Sequence, residues 1–208
     1  MDESYNLIVK LAATSIENGE VIAYPTSSIW GLGCSPFDES ALQKLCQIKQ
    51  RPTHKGLILI AGGWQEFASY FPNLTNEQVN RIITPSSHPC TWLVDDQSNK
   101  ISHLVKGDNE KVAIRIDSHP FVKQLCSVLQ HPITSTSANP SGKDPATSAT
   151  EVVEYFGKDI GYVGSYIAEN KCFNDAKYIK SIRSQKPSDI RDLASGEYIR
   201  RLELPAKH

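Results

Sequence analysis

Apolar positions along the chain change period several times, and each change marks an element. Over residues 4–18, Leu7, Ile8, Leu11, Ala12 and Ile16 recur at helical spacing and Gly19 follows as a stop, so an amphipathic helix is predicted. Val21-Ile22-Ala23-Tyr24 is instead an unbroken apolar run ended by Pro25. That is the pattern of a buried strand feeding a loop that holds Thr26, Ser27 and Ser28. Asp38 can cap a helix running to about Lys49, with Ala41, Leu42, Leu45 and Ile48 inward and Arg51-Pro52 as its break. Gly56-Leu57-Ile58-Leu59-Ile60 reads as a second buried strand.

Farther along, the pattern predicts helices at 63–70, 75–84, 119–129 and 148–156, and strands at 91–94, 111–116, 132–136, 160–164, 178–182 and 197–201. Phe121, Val122, Leu125 and Leu129 form a helical stripe of core residues. Strands alternating with helices place the chain in the α/β or α+β class, with one twisted mixed sheet covered by helices and its strand order left open. No Pro/Gly/Ser-rich linker, charge block or repeat interrupts the alternation, so residues 1–208 are expected to form a single domain.

Charge changes this picture locally. The net charge of −1 argues against a protein that coats nucleic acid. Yet residues 40–65 carry Lys44, Lys49, Arg51 and Lys55 with no acid, and 177–208 carry eight Lys/Arg against four Asp/Glu. Two cationic segments on a neutral chain suit a focused anion site. The acidic start and the lack of a long apolar run predict a soluble, cytoplasmic protein with no membrane span. Five cysteines, odd in number and never in a C-x-x-C pair, predict neither disulfides nor zinc, and the six histidines lack metal-ligand spacing.

Candidate chemistry clusters in polar stretches that follow apolar strands, where a sheet can deliver side chains to a cleft. Ser135-Thr136-Ser137-Ala138-Asn139-Pro140-Ser141-Gly142 is dense in groups that can meet phosphate, ribose or base. The 49–55 segment offers Lys49 as a point charge and Arg51 as a fork, a pairing suited to a triphosphate. There is no G-x-x-x-x-G-K-[ST], no G-x-G-x-x-G, no G-x-S-x-G and no H-E-x-x-H, so neither a P-loop, a dinucleotide site, a serine nucleophile nor a zinc protease is encoded.

Five stretches carry a resemblance: Y-P-T-S-S-I-W-G-L-G-C, I-K-Q-R-P-T-H-K-G-L-I-L-I, V-A-I-R-I-D-S-H-P, S-T-S-A-N-P-S-G and P-S-D-I-R-D. In this order and spacing the chain resembles the YrdC/TsaC family of threonylcarbamoyl-AMP synthases, from about Asn18 to about Arg200, in its short single-domain bacterial form. The resemblance implies a YrdC-like fold with a concave basic cleft. It implies an enzyme, a nucleotidyltransferase that joins L-threonine, bicarbonate and ATP into threonylcarbamoyladenylate for tRNA modification, releases pyrophosphate and hands its product to a TsaD-type transferase. Mg2+ would arrive with ATP, held by phosphates and water. Lys49 and Arg51 are implied as catalytic phosphate ligands; Ser137, Asn139 and Arg200 as further ATP contacts; Thr26, Ser28, Arg115, Ser135 and Ser188 as the threonine side. Trp30 is expected to be a packed wall. Ser27 stands where relatives commonly carry an acid, which weakens the expectation of an acid at the cleft. Ser87-His88-Pro89 replaces a Pro-Gly-Pro stretch, and Arg200-Arg201-Leu202 a final Arg-x-Gly. The alternative reading is a module that binds double-stranded or ribosomal precursor RNA on the same cleft without catalysis; otherwise RNA binding would be weak.

Overall fold

The computed structural model describes residues 3–86, 88–96, 100–163 and 187–201. The chain opens with helix α1 (Glu3–Glu17), followed by the short strands β1 (Ile22–Tyr24) and β2 (Gly31–Gly33). Helix α2 (Glu39–Lys49) starts where the Asp38 carboxylate accepts from the amides of Ser40 and Ala41. It ends at Gln50, which takes a left-handed conformation with φ 50°, and Pro52 then forbids continuation. After a single 3-10 turn at Thr53–Lys55 come β3 (Ile58–Ala61), α3 (Asn76–Ile83), β4 (Cys90–Asp95), α4 (His103–Lys106) and β5 (Lys111–Ile116). Then follow α5 (Pro120–Leu129), β6 (Ile133–Ser137), α6 (Ala149–Phe156), β7 (Tyr162–Val163), β8 (Asp189–Asp192) and β9 (Tyr198–Arg200).

Among the described residues nine strands make one mixed sheet in the order β7-β1-β2-β6-β3-β5-β4-β8-β9. Strand β6 is its pivot, antiparallel to β2 on one side and to β3 on the other. Residues opposite one another across a sheet point to the same face. Tyr24 faces Gly31 and Gly31 faces Ser137; Ser135 faces Ile58; Ile133, Ile60 and Arg115 form the next row. Arg115 of β5 and Ser135 and Ser137 of β6 therefore share a face, and Thr134, Leu59, Ile114 and Trp92 lie on the other. Helix α5 packs on α1 and β3, burying Phe121, Val122 and Leu125 completely. Replacing Phe121 with Ala would cost roughly 3–5 kcal/mol through lost burial and a cavity.

The apolar pattern located most elements, with five corrections. Residues 63–70 form successive turns rather than a helix: the Phe67 and Tyr70 amides donate only three residues back, to the Trp64 and Phe67 carbonyls, and buried Phe67 and Phe71 pin the segment. Strand β2 was hidden by its two glycines, which the sheet requires. A Cβ on Gly33 would lie 1.9 Å from the Thr134 carbonyl oxygen. Strand β8 falls in the D-I-R-D stretch and α4 in a four-residue segment, both too short to show a period. In α1 the buried stripe is Tyr5, Ile8, Val9, Ala12, Ala13 and Ile16, whereas Leu7 and Leu11 stay exposed. The expected strand at 178–182 lies outside the described residues, as does Cys172.

Candidate active site

The end of α2 and the loop after β6 build one half of the site. Lys49, in the last helical turn, is only 5% exposed, and its ammonium reaches across to the Ser137–Asn139 loop. It donates to the carbonyls of Ser137 (2.5 Å) and Asn139 (2.8 Å), to Asn139 Oδ1 (3.0 Å) and to Ser137 Oγ (3.3 Å). The loop is itself pinned, because the Ala138 amide donates to the Trp30 carbonyl and Asn139 Nδ2 to the Lys143 carbonyl. Arg51 donates through Nε to the Gly56 carbonyl (2.9 Å) and through Nη2 to that of Lys55 (3.3 Å). Burial, with the neighbouring Arg51 charge, lowers the Lys49 pKa to about 8; burial also lowers that of Arg51. Among the described residues neither cation has a carboxylate partner.

The other half is assembled where β1 and β5 end. Thr26 Oγ1 donates to the Ile29 carbonyl (2.6 Å), accepts from the Ser28 amide (3.1 Å) and lies 3.2 Å from Ser28 Oγ, which makes the 26–29 segment a self-bonded turn. Arg115 donates to Ser28 Oγ through Nη1 (3.3 Å) and pairs through Nη2 with Asp117 Oδ2 (3.1 Å). Its buried Nε has no hydrogen-bond partner among the described residues. Asp117 is fully buried and also accepts from Ser27 Oγ (2.8 Å), the Ser27 amide (3.0 Å) and the His119 amide (2.9 Å). His119 caps α5 by accepting from the Phe121 amide, and burial pushes its pKa down to about 4, opposed by Asp117. It is a buried capping group.

Ser135 and Ser137 point to the same face, about 7 Å apart along β6, so the strand links the two halves. Ser188 meets Thr91 on the far side of Arg115, Oγ to Oγ at 2.7 Å. Arg200 donates to the Ser188 carbonyl (2.7 Å), on the edge of the sheet remote from β6. The structure thus brings Lys49, Ser137 and Asn139 together, and Thr26, Ser28 and Arg115 together, but does not bring Arg200 to Lys49. Trp30, 7% exposed, is part of the core. The acid not expected near Ser27 is present after all, supplied by Asp117. Sequence reasoning missed Asp117, although an acid two residues after Arg115 in an extended chain has to fall on the same side of it.

A concavity of about 1100 Å³ opens on the opposite face, lined in part by Arg81, Trp92, Arg191 and Tyr198. None of the expected site residues lines it, although Ser27, which bonds Asp117, does. The Arg191 guanidinium is already stacked between Trp92 and Tyr198. Burial raises the thiol pKa of Cys34 to about 12 and of Cys90 to about 11, so neither is a thiolate near neutral pH.

With this geometry in place, comparison with known proteins decides the family. A family model described as telomere recombination (Sua5/YciO/YrdC) matches residues 14–177. The chain belongs to the Sua5/YciO/YrdC family. It is 40% identical over 200 residues to a protein of Cellvibrio japonicus named threonylcarbamoyl-AMP synthase, covering 96% of this chain and 98% of that one. It is 37% identical over 195 residues to one of Acinetobacter baumannii with the same name, covering 91% and 95%. The crystal structure of P. abyssi Sua5 complexed with L-threonine superposes with TM-score 0.67 at 27% identity, over 74% of this chain and 45% of that one, so this member of the family spans about half of Sua5. E. coli YciO shares the fold, with TM-score 0.72 at 22% identity over 94% and 89%.

Proposed function

We propose that the chain is a threonylcarbamoyl-AMP synthase. It converts L-threonine, bicarbonate and ATP into L-threonylcarbamoyladenylate and pyrophosphate. One observation carries the assignment of ends: a single sheet face joins a buried Lys49 and a half-buried Arg51, neither with a carboxylate partner among the described residues, to a buried Arg115 that is charge-compensated. A polyanion gains most from the first environment and a zwitterion from the second. Lys49 and Arg51 are therefore assigned to the ATP phosphates, with Ser137 and Asn139 contacting the nucleotide and Arg200 closing from the opposite edge. Thr26, Ser28, Arg115, Ser135 and Ser188 are assigned to threonine.

The threonine amine attacks bicarbonate, water leaves, and the resulting carbamate oxygen attacks the α-phosphorus as the bond to pyrophosphate breaks. No covalent enzyme intermediate is needed, and the protein contributes position and charge. Mg2+ enters with ATP, held by phosphates and water. Among the described residues no group of three or more His, Cys, Asp or Glu could hold a metal. The labile product passes to a TsaD-type transferase for tRNA modification in the cytoplasm, with at most weak RNA contact here. No helix among the described residues is long and apolar enough to cross a membrane. The test is pyrophosphate release with each substrate omitted in turn. Release should require threonine and bicarbonate together, and equal release without threonine overturns the assignment.

A further inference from the structure

The reading of Arg115 as the threonine-carboxylate ligand leaves unexplained the carboxylate placed directly against it. Asp117 is fully buried and receives donors from three directions: the Ser27 amide and hydroxyl, the His119 amide, and Arg115 Nη2. Its two oxygens divide the work. Oδ1 takes the backbone amides of Ser27 (3.0 Å) and His119 (2.9 Å), which ties the loop after β1 to the start of α5. Oδ2 takes the Ser27 hydroxyl (2.8 Å), the guanidinium (3.1 Å) and a longer share of the Ser27 amide (3.3 Å).

An arginine has several rotatable bonds, and holding it in one orientation at a buried site needs more than one fixed acceptor. Ser28 Oγ at 3.3 Å is one, on Nη1; Asp117 Oδ2 is the other, on Nη2. Ser28 is in turn held by the 26–29 turn, and that turn is held by Oδ1. One carboxylate therefore fixes both the guanidinium and the loop whose hydroxyls sit beside it. Nε, buried and without a partner among the described residues, is the donor left for a ligand.

We propose that Asp117 is a positioning residue for threonine: its Oδ2 orients the Arg115 guanidinium so that Nε–H meets the amino-acid carboxylate, while its Oδ1 holds the 26–28 loop. This rests on the threonine assignment above.

The two oxygens can be separated by one substitution. In Asp117→Asn the amide oxygen still accepts both backbone N–H groups, but an NH2 replaces Oδ2 and turns a donor toward Arg115. The variant leaves a buried guanidinium without its carboxylate and should melt below the parent, and under conditions where it is fully folded the KM for threonine should rise on the order of tenfold, the size of one lost charged hydrogen bond. The KM for ATP at saturating threonine should move less than about twofold, because Lys49 and its loop are untouched. A merely structural role would instead move both constants with stability. In 15N-labelled protein the Arg115 Nη signals, assigned by their loss in Arg115→Lys, should be resolved because rotation about Cζ–Nε is hindered. They should average in Asp117→Asn. Parallel rises in both KM values, an unchanged threonine KM, or unchanged Nη signals would each overturn the proposal. If Asp117→Asn does not fold, averaged Arg115 signals in the wild-type protein overturn it and resolved ones support it. If the wild-type protein shows no threonine-dependent pyrophosphate release, it is the functional assignment that falls, and the Nη signals still report on the lock.

Discussion

Lys49 and Arg115 are buried to the same degree, each 5% exposed, yet their charges are balanced in opposite ways. Lys49 is surrounded by four neutral oxygens from a single loop, which solvate the ammonium without cancelling it. Arg115 shares its charge with a fully buried carboxylate. A buried cation among dipoles keeps most of its desolvation cost, and an arriving anion relieves that cost. A buried ion pair has spent its charge and offers direction instead. Equal burial of two cations thus leaves an unbalanced charge at one end of the sheet face and a fixed ion pair at the other; in the proposed function these act as an electrostatic trap and a rigid template.

The comparison breaks most readily at the template. Arg115→Ala would leave Asp117 buried without its cation and should lower unfolding free energy by about 3–5 kcal/mol in urea. Adding Asp117→Asn to that variant should recover part of the loss; no recovery would mean that the pair's charges do not set the cost.

At the trap, Lys49→Ala should reduce pyrophosphate release on the order of a hundredfold. It should also lower the melting temperature, because four loop oxygens lose their common donor, a cost that a surface lysine would not carry. Near-normal turnover would remove the distinction between the two ends.

Acidity sharpens the contrast. With its pKa lowered from the ordinary value of 10.5 to about 8, Lys49 is an ammonium below about pH 8 and neutral above it. At saturating threonine and bicarbonate, kcat/KM for ATP should therefore fall about tenfold per unit above that point. Because the unfolded chain holds that proton up to its higher pKa, Lys49 opposes folding below about pH 8, and the penalty fades as pH rises toward 10.5. The smallest effect is salt. Between about 50 and 500 mM, the KM for ATP should rise a few-fold and that for threonine should barely move, because screening weakens an unbalanced field and leaves a closed pair alone.

Much of this was legible in the chain itself. The unbroken apolar run before Pro25, the Asp38 cap and the Phe121 stripe located β1, α2 and α5, because burial periodicity and capping are local. The acid-free 49–55 segment and the hydroxyl-rich 135–142 loop drew attention by their residue types, and the fold brings Lys49 of the first to Ser137 and Asn139 of the second. Strand β2 escaped because its glycines are poor strand formers, chosen for an approach to β6 that is visible only once β6 is in place.

By itself, the sequence determined most of the longer elements, the family they belong to, and which residue types stand in the segments that meet. Only the tertiary structure decided how each buried charge is balanced. Lys49 meets Ser137 and Asn139 across 88 and 90 positions, and Asp117 meets Ser27 across 90. Electrostatic compensation depends on distances of 2.5–3.3 Å between groups that no local pattern relates, and the pairing of the strands is what sets them.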